Sequence, residues 1–188
     1  MTSRREFLRA TAVLSSVPLS VSAGVAIEVP LTLSAVVIDN RYAAARVFGT
    51  RAQRAGITQR AIQGDITDLW LADLHPQWQS KPAAIAGLTA RPALFCLEQL
   101  AWDYRMRVSY HAEHRAQPDG TMVHTVHVPL RGLSAVELVA AGAAWPGYAA
   151  GAISRLSATR SACGPSAACM EGSVGDDEVT LHSWVIAA

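Results

Sequence analysis

Short apolar runs alternate with stretches of helical periodicity along the first half of the chain. The first run, over 31–38, is apolar and rich in β-branched side chains, which is typical of a buried strand, and two shorter predicted strands follow it. The stretch after each run repeats its apolar residues at three- and four-residue spacing, which predicts a helix. The predicted strands cover 31–38, 58–62 and 83–88, and the predicted helices cover 41–54, 66–74 and 92–104.

A fourth predicted strand at 107–115 completes a β-α-β-α-β-α-β alternation with short connections. This pattern is typical of an α/β fold in which helices cover a mainly parallel, Rossmann-like sheet. Asp65 is expected to cap the second helix, and His75-Pro76 is expected to end it. Pro92 fits the first turn of the third helix, where its missing N–H costs nothing.

The next segment predicts a β-hairpin. The fourth strand and a fifth at 121–128 flank Pro118-Asp119-Gly120, which has the residues of a tight turn. A last strand is predicted at 179–187. We expect the hairpin and this strand to extend the parallel sheet.

The residues between the hairpin and the last strand are less regular. Ser134 and Glu137 match a capping box and predict a short helix that stops near Gly142. Residues 147–162 fit either a loop or a weak helix. No domain boundary is visible, and we expect a single α/β domain over 27–188.

The N-terminus has the pattern of an export signal. Three arginines precede an apolar run over 10–25, which is too short and interrupted for a stable bilayer span of about 20 residues. A basic start, a short apolar core and small residues before a cut near Ala23 or Ala26 are typical of a cleaved signal peptide.

The motif Ser3-Arg4-Arg5-Glu6-Phe7-Leu8-Arg9 resembles the twin-arginine signal, S/T-R-R-x-F-L-K, with Arg9 in place of the usual lysine. The resemblance covers only residues 1–23. It implies that the twin-arginine (Tat) translocase exports the folded protein across the bacterial inner membrane into the periplasm. That route is typical of proteins that acquire a cofactor or a partner in the cytoplasm. An ordinary secretory signal with a chance arginine pair is the alternative.

Composition narrows the classes of partner. The chain has 16 Lys and Arg against 15 Asp and Glu, and removal of residues 1–23 takes away three arginines and one glutamate, which leaves a net charge of −1. A charge so near zero gives no basic field for nucleic acid. Residues 130–153 are apolar, but Glu137 and Pro146 argue against a membrane span there, so we expect none after cleavage.

The sequence around the three cysteines predicts a different role for Cys96 than for Cys163 and Cys169. Cys163 and Cys169 stand in a Gly/Pro/Ser-rich stretch, where a disulfide in the periplasm is favoured over two free thiols. Cys96 lies within an apolar helical pattern and is interpreted as a buried small side chain.

The first candidate site is the carboxyl edge of the sheet, where open parallel sheets bind ligands. Taken singly, its polar residues are explained by strand ends and helix caps; together they form the best candidate for a small-molecule pocket. No GxGxxG or GxxxxGK[ST] motif accompanies them, which argues against dinucleotide or nucleoside triphosphate binding. The candidate ligand-binding residues are Asp39, Asn40, Arg41, Asp65, Thr89 and Arg91.

The second candidate site is a metal site on the hairpin. If Ala116 pairs with Thr121, the side chains of His111, Glu113 and His124 share one face and form a two-histidine, one-carboxylate group. A slip of one residue in the pairing replaces His124 by His127. Partly exposed histidines with no ligand are the simpler alternative.

Aromatic residues and nucleophile motifs add little. Trp70 and Trp102 are predicted to lie in the core, whereas Trp78 follows a breaker and need not be buried. No Gly-x-Ser-x-Gly motif supports a serine hydrolase.

Two function classes are therefore expected. The first is a non-catalytic accessory subunit or escort of a larger redox enzyme, because the export route is associated with such partners. The second is a periplasmic protein that binds a small ligand or metal at the sheet edge or the hairpin. The sequence identifies no particular cofactor, substrate or reaction.

Overall fold

The computed structural model describes residues 31–130, 133–155 and 180–188. Six strands lie in these ranges: β1 (Leu33–Asp39), β2 (Gln59–Ile62), β3 (Ala84–Ala90), β4 (Arg107–Ala116), β5 (Met122–Val128) and β6 (Thr180–Ala187). The α-helices are α1 (Ala43–Arg54), α2 (Thr67–Leu69), α3 (His75–Ser80), α4 (Arg91–Trp102), α5 (Ala135–Ala140) and α6 (Trp145–Ser154). A π-helical segment, Trp70–Leu74, joins α2 to α3, and a 3-10 turn, Gly142–Ala144, joins α5 to α6.

The strands form one sheet in the order β2-β1-β3-β6-β4-β5. β1 is parallel to both β2 and β3, whereas β6 is antiparallel to both of its neighbours and β5 is antiparallel to β4. The α/β class predicted from the sequence is confirmed. The mainly parallel, Rossmann-like arrangement is not confirmed, because antiparallel pairs outnumber parallel ones among these strands.

The last strand, β6, lies in the middle of the sheet, between β3 and β4. The prediction that it extends the edge of the sheet is therefore wrong. All residues of β6 except Thr180 are buried. A strand that is apolar on both faces is stable only where both faces are covered. Because β6 separates β3 from β4, the crossover through α4 joins two parallel strands that are not neighbours.

A glycine lets β6 enter this position. Gly87 of β3 pairs with Trp184 of β6, and the indole ring of Trp184 packs where a side chain at Gly87 would stand. The indole Nε1 donates a hydrogen bond to Thr89 Oγ1 at 3.1 Å. Trp184 therefore fixes the register of β6 against β3.

Helices cover both faces of the sheet and create two cores. The first lies under α1, α5 and α6 and includes Phe48, Tyr110, Leu138 and Trp145. The second lies under α4 and the segment from α2 to α3, and includes Leu94, Leu97, Trp78 and Trp184. We call these faces the α6 face and the α4 face.

The helical segment after β2 is longer than predicted. His75-Pro76 does not end it: Pro76 directly follows the π-helical turn Trp70–Leu74, whose hydrogen-bond spacing differs from that of an α-helix, and the helix continues to Ser80. Asp65 does accept a hydrogen bond from the Thr67 N–H at 2.8 Å, but Ile66 is the residue at the N-cap position.

Three side-chain placements correct the sequence predictions. Continuation of the helix turns Trp78 into the core, where it is buried, and Trp70 is partly buried beside it. Trp102 and Cys96 are exposed, because the buried stripe of α4 follows Leu94, Leu97 and Ala101 instead. Cys163 and Cys169 lie outside the described residues, so their disulfide stays a prediction.

The predicted capping box is confirmed. Ser134 Oγ accepts a hydrogen bond from the Glu137 N–H at 3.3 Å, and Glu137 Oε2 accepts one from the Ser134 N–H at 2.7 Å. Residues 147–162 were predicted to form either a loop or a weak helix, and residues 147–154 belong to α6. Within the residues that the structure covers, no helix has the length and apolar character needed to cross a membrane.

The contact between Gly87 and Trp184 generates a test of the fold. A Cβ added at Gly87 would lie 2.6 Å from the Val37 carbonyl oxygen, so Gly87→Ala should lower the free energy of unfolding by about 1–3 kcal/mol or more. Gly147 of α6 is the matched control, since its added Cβ meets its nearest neighbour only at 4.0 Å. Gly147→Ala should be neutral or stabilise by up to about 1 kcal/mol. Urea denaturation of both variants checks this, and equal effects would contradict the role of Gly87.

Candidate functional site

Polar side chains cross the α4 face in a row near the carboxyl ends of the parallel strands. Thr89 of β3 pairs with His182 of β6, and His182 pairs with Glu113 of β4. Asp39 follows Ile38, the partner of Leu88, and so lies beside Thr89 at the end of β1. Asp39 and Thr89 are fully buried and His182 is 5% exposed. We call Asp39, Thr89, His182 and Glu113 the polar row.

The structure brings Asp39 and Arg41 together as an ion pair. Arg41 donates to Asp39 through Nε at 2.9 Å and through Nη2 at 2.6 Å. The Asp39 carboxylate, by hydrogen bond and charge, raises the pKa of Arg41. The guanidinium lies against Gly64, whose φ of +91° suits the tight turn after β2. Arg41 thus balances the negative charge of the buried Asp39 carboxylate within the protein.

The other residues predicted at this edge have local partners. Asp65 is exposed and accepts hydrogen bonds from the N–H and hydroxyl of Thr67, which lower the pKa of its carboxyl. Asn40 is exposed, and its carbonyl accepts a hydrogen bond from Arg46 at 2.8 Å. Arg91 opens α4 and lies 4.0 Å from Glu98. Of the predicted ligand-binding residues, Asp39 and Thr89 therefore belong to the polar row.

Histidines flank the row on the α4 face. His111 Nε2 lies 2.9 Å from His182 Nδ1, within hydrogen-bond distance. The ring of His127 stacks on that of His111 with centroids 4.8 Å apart. His127 Nε2 lies 3.5 Å from Glu113 Oε2. His182 is not among the site residues predicted from the sequence, and its place in the predicted last strand, 179–187, is the signal that could have identified it.

The two paired histidines are neutral near pH 7. Burial, reinforced by the charges of His182 and His127, lowers the pKa of His111 to about 3. Burial also lowers the pKa of His182 to about 4, although the Glu113 carboxylate acts in the opposite direction. Neutral imidazoles are donors to metals and acceptors for protons.

A second histidine network lies on the α6 face of the same strands. Ser183 Oγ lies 2.7 Å from His114 Nε2 and 3.1 Å from the hydroxyl of Tyr110. His114 Nδ1 lies 2.7 Å from His124 Nδ1. The Trp145 ring stacks on His114 with centroids 4.0 Å apart. We call Tyr110, Ser183, His114 and His124 the buried network.

The buried network is part of the interior. Ser183 is fully buried and His114 and His124 are at most 2% exposed, so the serine hydroxyl is closed to substrates despite its short distance to a histidine. Burial holds the pKa of His114 well below its usual range and that of His124 near 4. Both rings are therefore neutral near pH 7, and one of the two facing Nδ1 atoms donates its proton to the other.

The predicted metal trio does not form. Ala116 pairs with Met122 and not with Thr121, so His124 lies opposite His114 instead of Glu113. The reason is the turn, which spans five residues and is closed by a hydrogen bond from the Gln117 N–H to the Thr121 carbonyl. His127 takes the place of His124 beside Glu113, as the alternative register predicts. No group of three or more His, Cys, Asp or Glu side chains in the described ranges is already arranged to hold a metal ion.

A cleft of about 490 Å³ lies at the other end of the sheet. Thr32, Ser34, Lys81 and Met106 line it, near the starts of β1, β3 and β4. None of the predicted site residues is among its lining residues. The cleft and the polar row are therefore separate features.

Comparison of the chain with models of protein families, with curated proteins and with solved structures found no match.

The buried network predicts a dependence of stability on pH. The pKa of His124 is about 4 in the folded state and about 6.5 when unfolded, so the unfolded chain binds more protons between these values. The free energy of unfolding should be highest above pH 6.5 and fall on acidification, by on the order of 2 kcal/mol between pH 7 and 5 for this group. Urea denaturation at both pH values measures it.

His124→Asn should reduce this pH dependence, whereas His75→Asn should leave it unchanged, because His75 lies on α3 and contacts Gln79. An equal slope in His124→Asn and the unmodified protein would contradict the assignment.

Proposed function

We propose that this chain is an exported protein that binds a small ligand at the carboxyl edge of its sheet, with the polar row as the centre of the site. The observation that carries this proposal is the alignment of four polar side chains from four strands on one face. Each of these side chains has a partner within the protein, and the partly exposed Glu113 is the member that a ligand can reach.

The chemistry of the row favours a polar ligand. Glu113 offers a carboxylate with a side chain 32% exposed, next to the exposed His127 and the partly exposed His111, whereas Thr89 and Asp39 are buried behind them. Arg91 supplies a positive charge close enough to lower the pKa of both His111 and His182. A ligand with both hydrogen-bond donors and acceptors fits this set.

The proposed function includes export of the protein to the periplasm. The twin-arginine motif over 3–9 supports transport of a folded chain, which suits a protein that carries its ligand from the cytoplasm. The single domain and the near-neutral mature charge are compatible with a freely diffusing binding protein.

Native mass spectrometry of untagged protein recovered from the periplasm tests this function. The expected result is a mass above that of the mature chain, which denaturation removes. Glu113→Gln should lower the liganded fraction, because it removes the charge of the row with little change of shape. Asp73→Asn is the control, since Asp73 forms an exposed ion pair with Arg60 at 3.1 Å. A bare chain, or undiminished ligand in Glu113→Gln, would refute the proposal.

A second function has its own observation. Phe95 and Trp102 stand two turns apart on the outer face of α4 and are 51% and 48% exposed. Large exposed aromatic side chains are favoured at protein interfaces. With the export motif, they support an accessory subunit or escort that leaves the cytoplasm with a larger redox enzyme.

Affinity purification of the chain from its host tests this accessory role. A second chain should co-purify, and the double variant Phe95→Ser, Trp102→Ser should lose it. Val136→Ser is the control, because Val136 is equally apolar and 69% exposed but lies on α5. Recovery of the chain alone under gentle conditions would eliminate the accessory role.

A further inference from the structure

We infer that His111 and His182 form a two-histidine site for a divalent transition-metal ion, with water or the bound ligand in the remaining coordination positions. This inference rests on the proposed function and names the metal as part of what the carboxyl edge binds.

The geometry of the two rings carries the inference. His111 Nε2 and His182 Nδ1 point at each other at 2.9 Å, and the ring planes are 27° apart. Two nitrogen ligands of a tetrahedral zinc ion, each about 2.0–2.1 Å from the metal, are roughly 3.3 Å apart. Conversion of the hydrogen-bonded pair into a chelating pair therefore requires the two nitrogens to separate by roughly half an ångström and both rings to turn, so that their lone pairs converge on the ion. Imidazole nitrogen is a preferred ligand of zinc, copper and nickel.

The backbone holds both donors in place. His182 is fixed on β6 next to Trp184, and its pairing partners are Thr89 and Glu113. His111 is on β4, pairs with Trp184 and is partly exposed. A metal ion can therefore reach the pair from the His111 side without disturbing the core.

The surrounding charges act in opposite directions. The Glu113 carboxylate is close enough to His182 to favour positive charge there, and a divalent cation benefits from the same field. The Arg91 guanidinium opposes it. Only two protein donors meet at this point, which agrees with the absence of a preformed group of three in the described ranges. Open positions of this kind are typical of metals that bind or activate a further ligand.

Metal titration of the full chain without a histidine tag tests the inference. Isothermal titration with Zn²⁺ should give one site, and His111→Asn or His182→Asn should weaken it by at least about tenfold. His75→Asn should bind as the unmodified chain does. Electron paramagnetic resonance with Cu²⁺ should show two coordinating nitrogens in the unmodified protein and one in His111→Asn. Circular dichroism verifies that each variant is folded. If the buried substitution His182→Asn prevents folding, the result for the partly exposed His111→Asn decides the test.

No Zn²⁺ binding, or equal affinity in His111→Asn and His75→Asn, would overturn the inference. If the chain retains an organic ligand that Glu113→Gln loses but binds no metal, the inference fails while the proposed function stands. If it retains no ligand and binds Zn²⁺ equally in all variants, both fail.

Discussion

The packing of Trp184 on Gly87 is the contact on which the rest of the sheet depends. The indole ring lies over Gly87 in the space that a side chain there would fill, and its N–H donates a hydrogen bond to the hydroxyl of Thr89. This register determines which face of the sheet each side chain of β6 lies on. A shift by one residue would exchange the two faces and bury the wrong groups.

The chemistry of the molecule follows from this register. His182 and Ser183 are consecutive, so they point to opposite faces of β6. His182 joins the polar row on the α4 face, and Ser183 joins the buried network on the α6 face. β6 therefore supplies a histidine to the pair on the α4 face and a serine that contacts the histidine pair on the α6 face. The first pair includes the partly exposed His111, whereas the pair under Trp145 is buried.

Local signals were sufficient for part of this structure and distant contacts decided the rest. The capping box at Ser134 was predictable because all of its atoms lie within four residues. The hairpin was predictable from Gly120, but its register was not, since the turn closes through Gln117 and Thr121. The central place of β6 depends on partners far away in sequence, and so does the burial of Trp78. Within the polar row, Thr89 and Glu113 were identified from strand ends and from residue spacing. His182 could be placed there only once the order of the strands in the sheet was known.

The central position of β6 also shapes how the chain reaches its folded state. Its partners on β3 and β4 precede it by roughly a hundred and by seventy residues. Until β6 has been synthesised, β3 and β4 each have an open edge toward the gap between them, and such edges invite pairing with other chains. Loop closure over these distances is also slow. The sheet therefore closes only after β6 has been synthesised, well after β3 and β4 have left the ribosome.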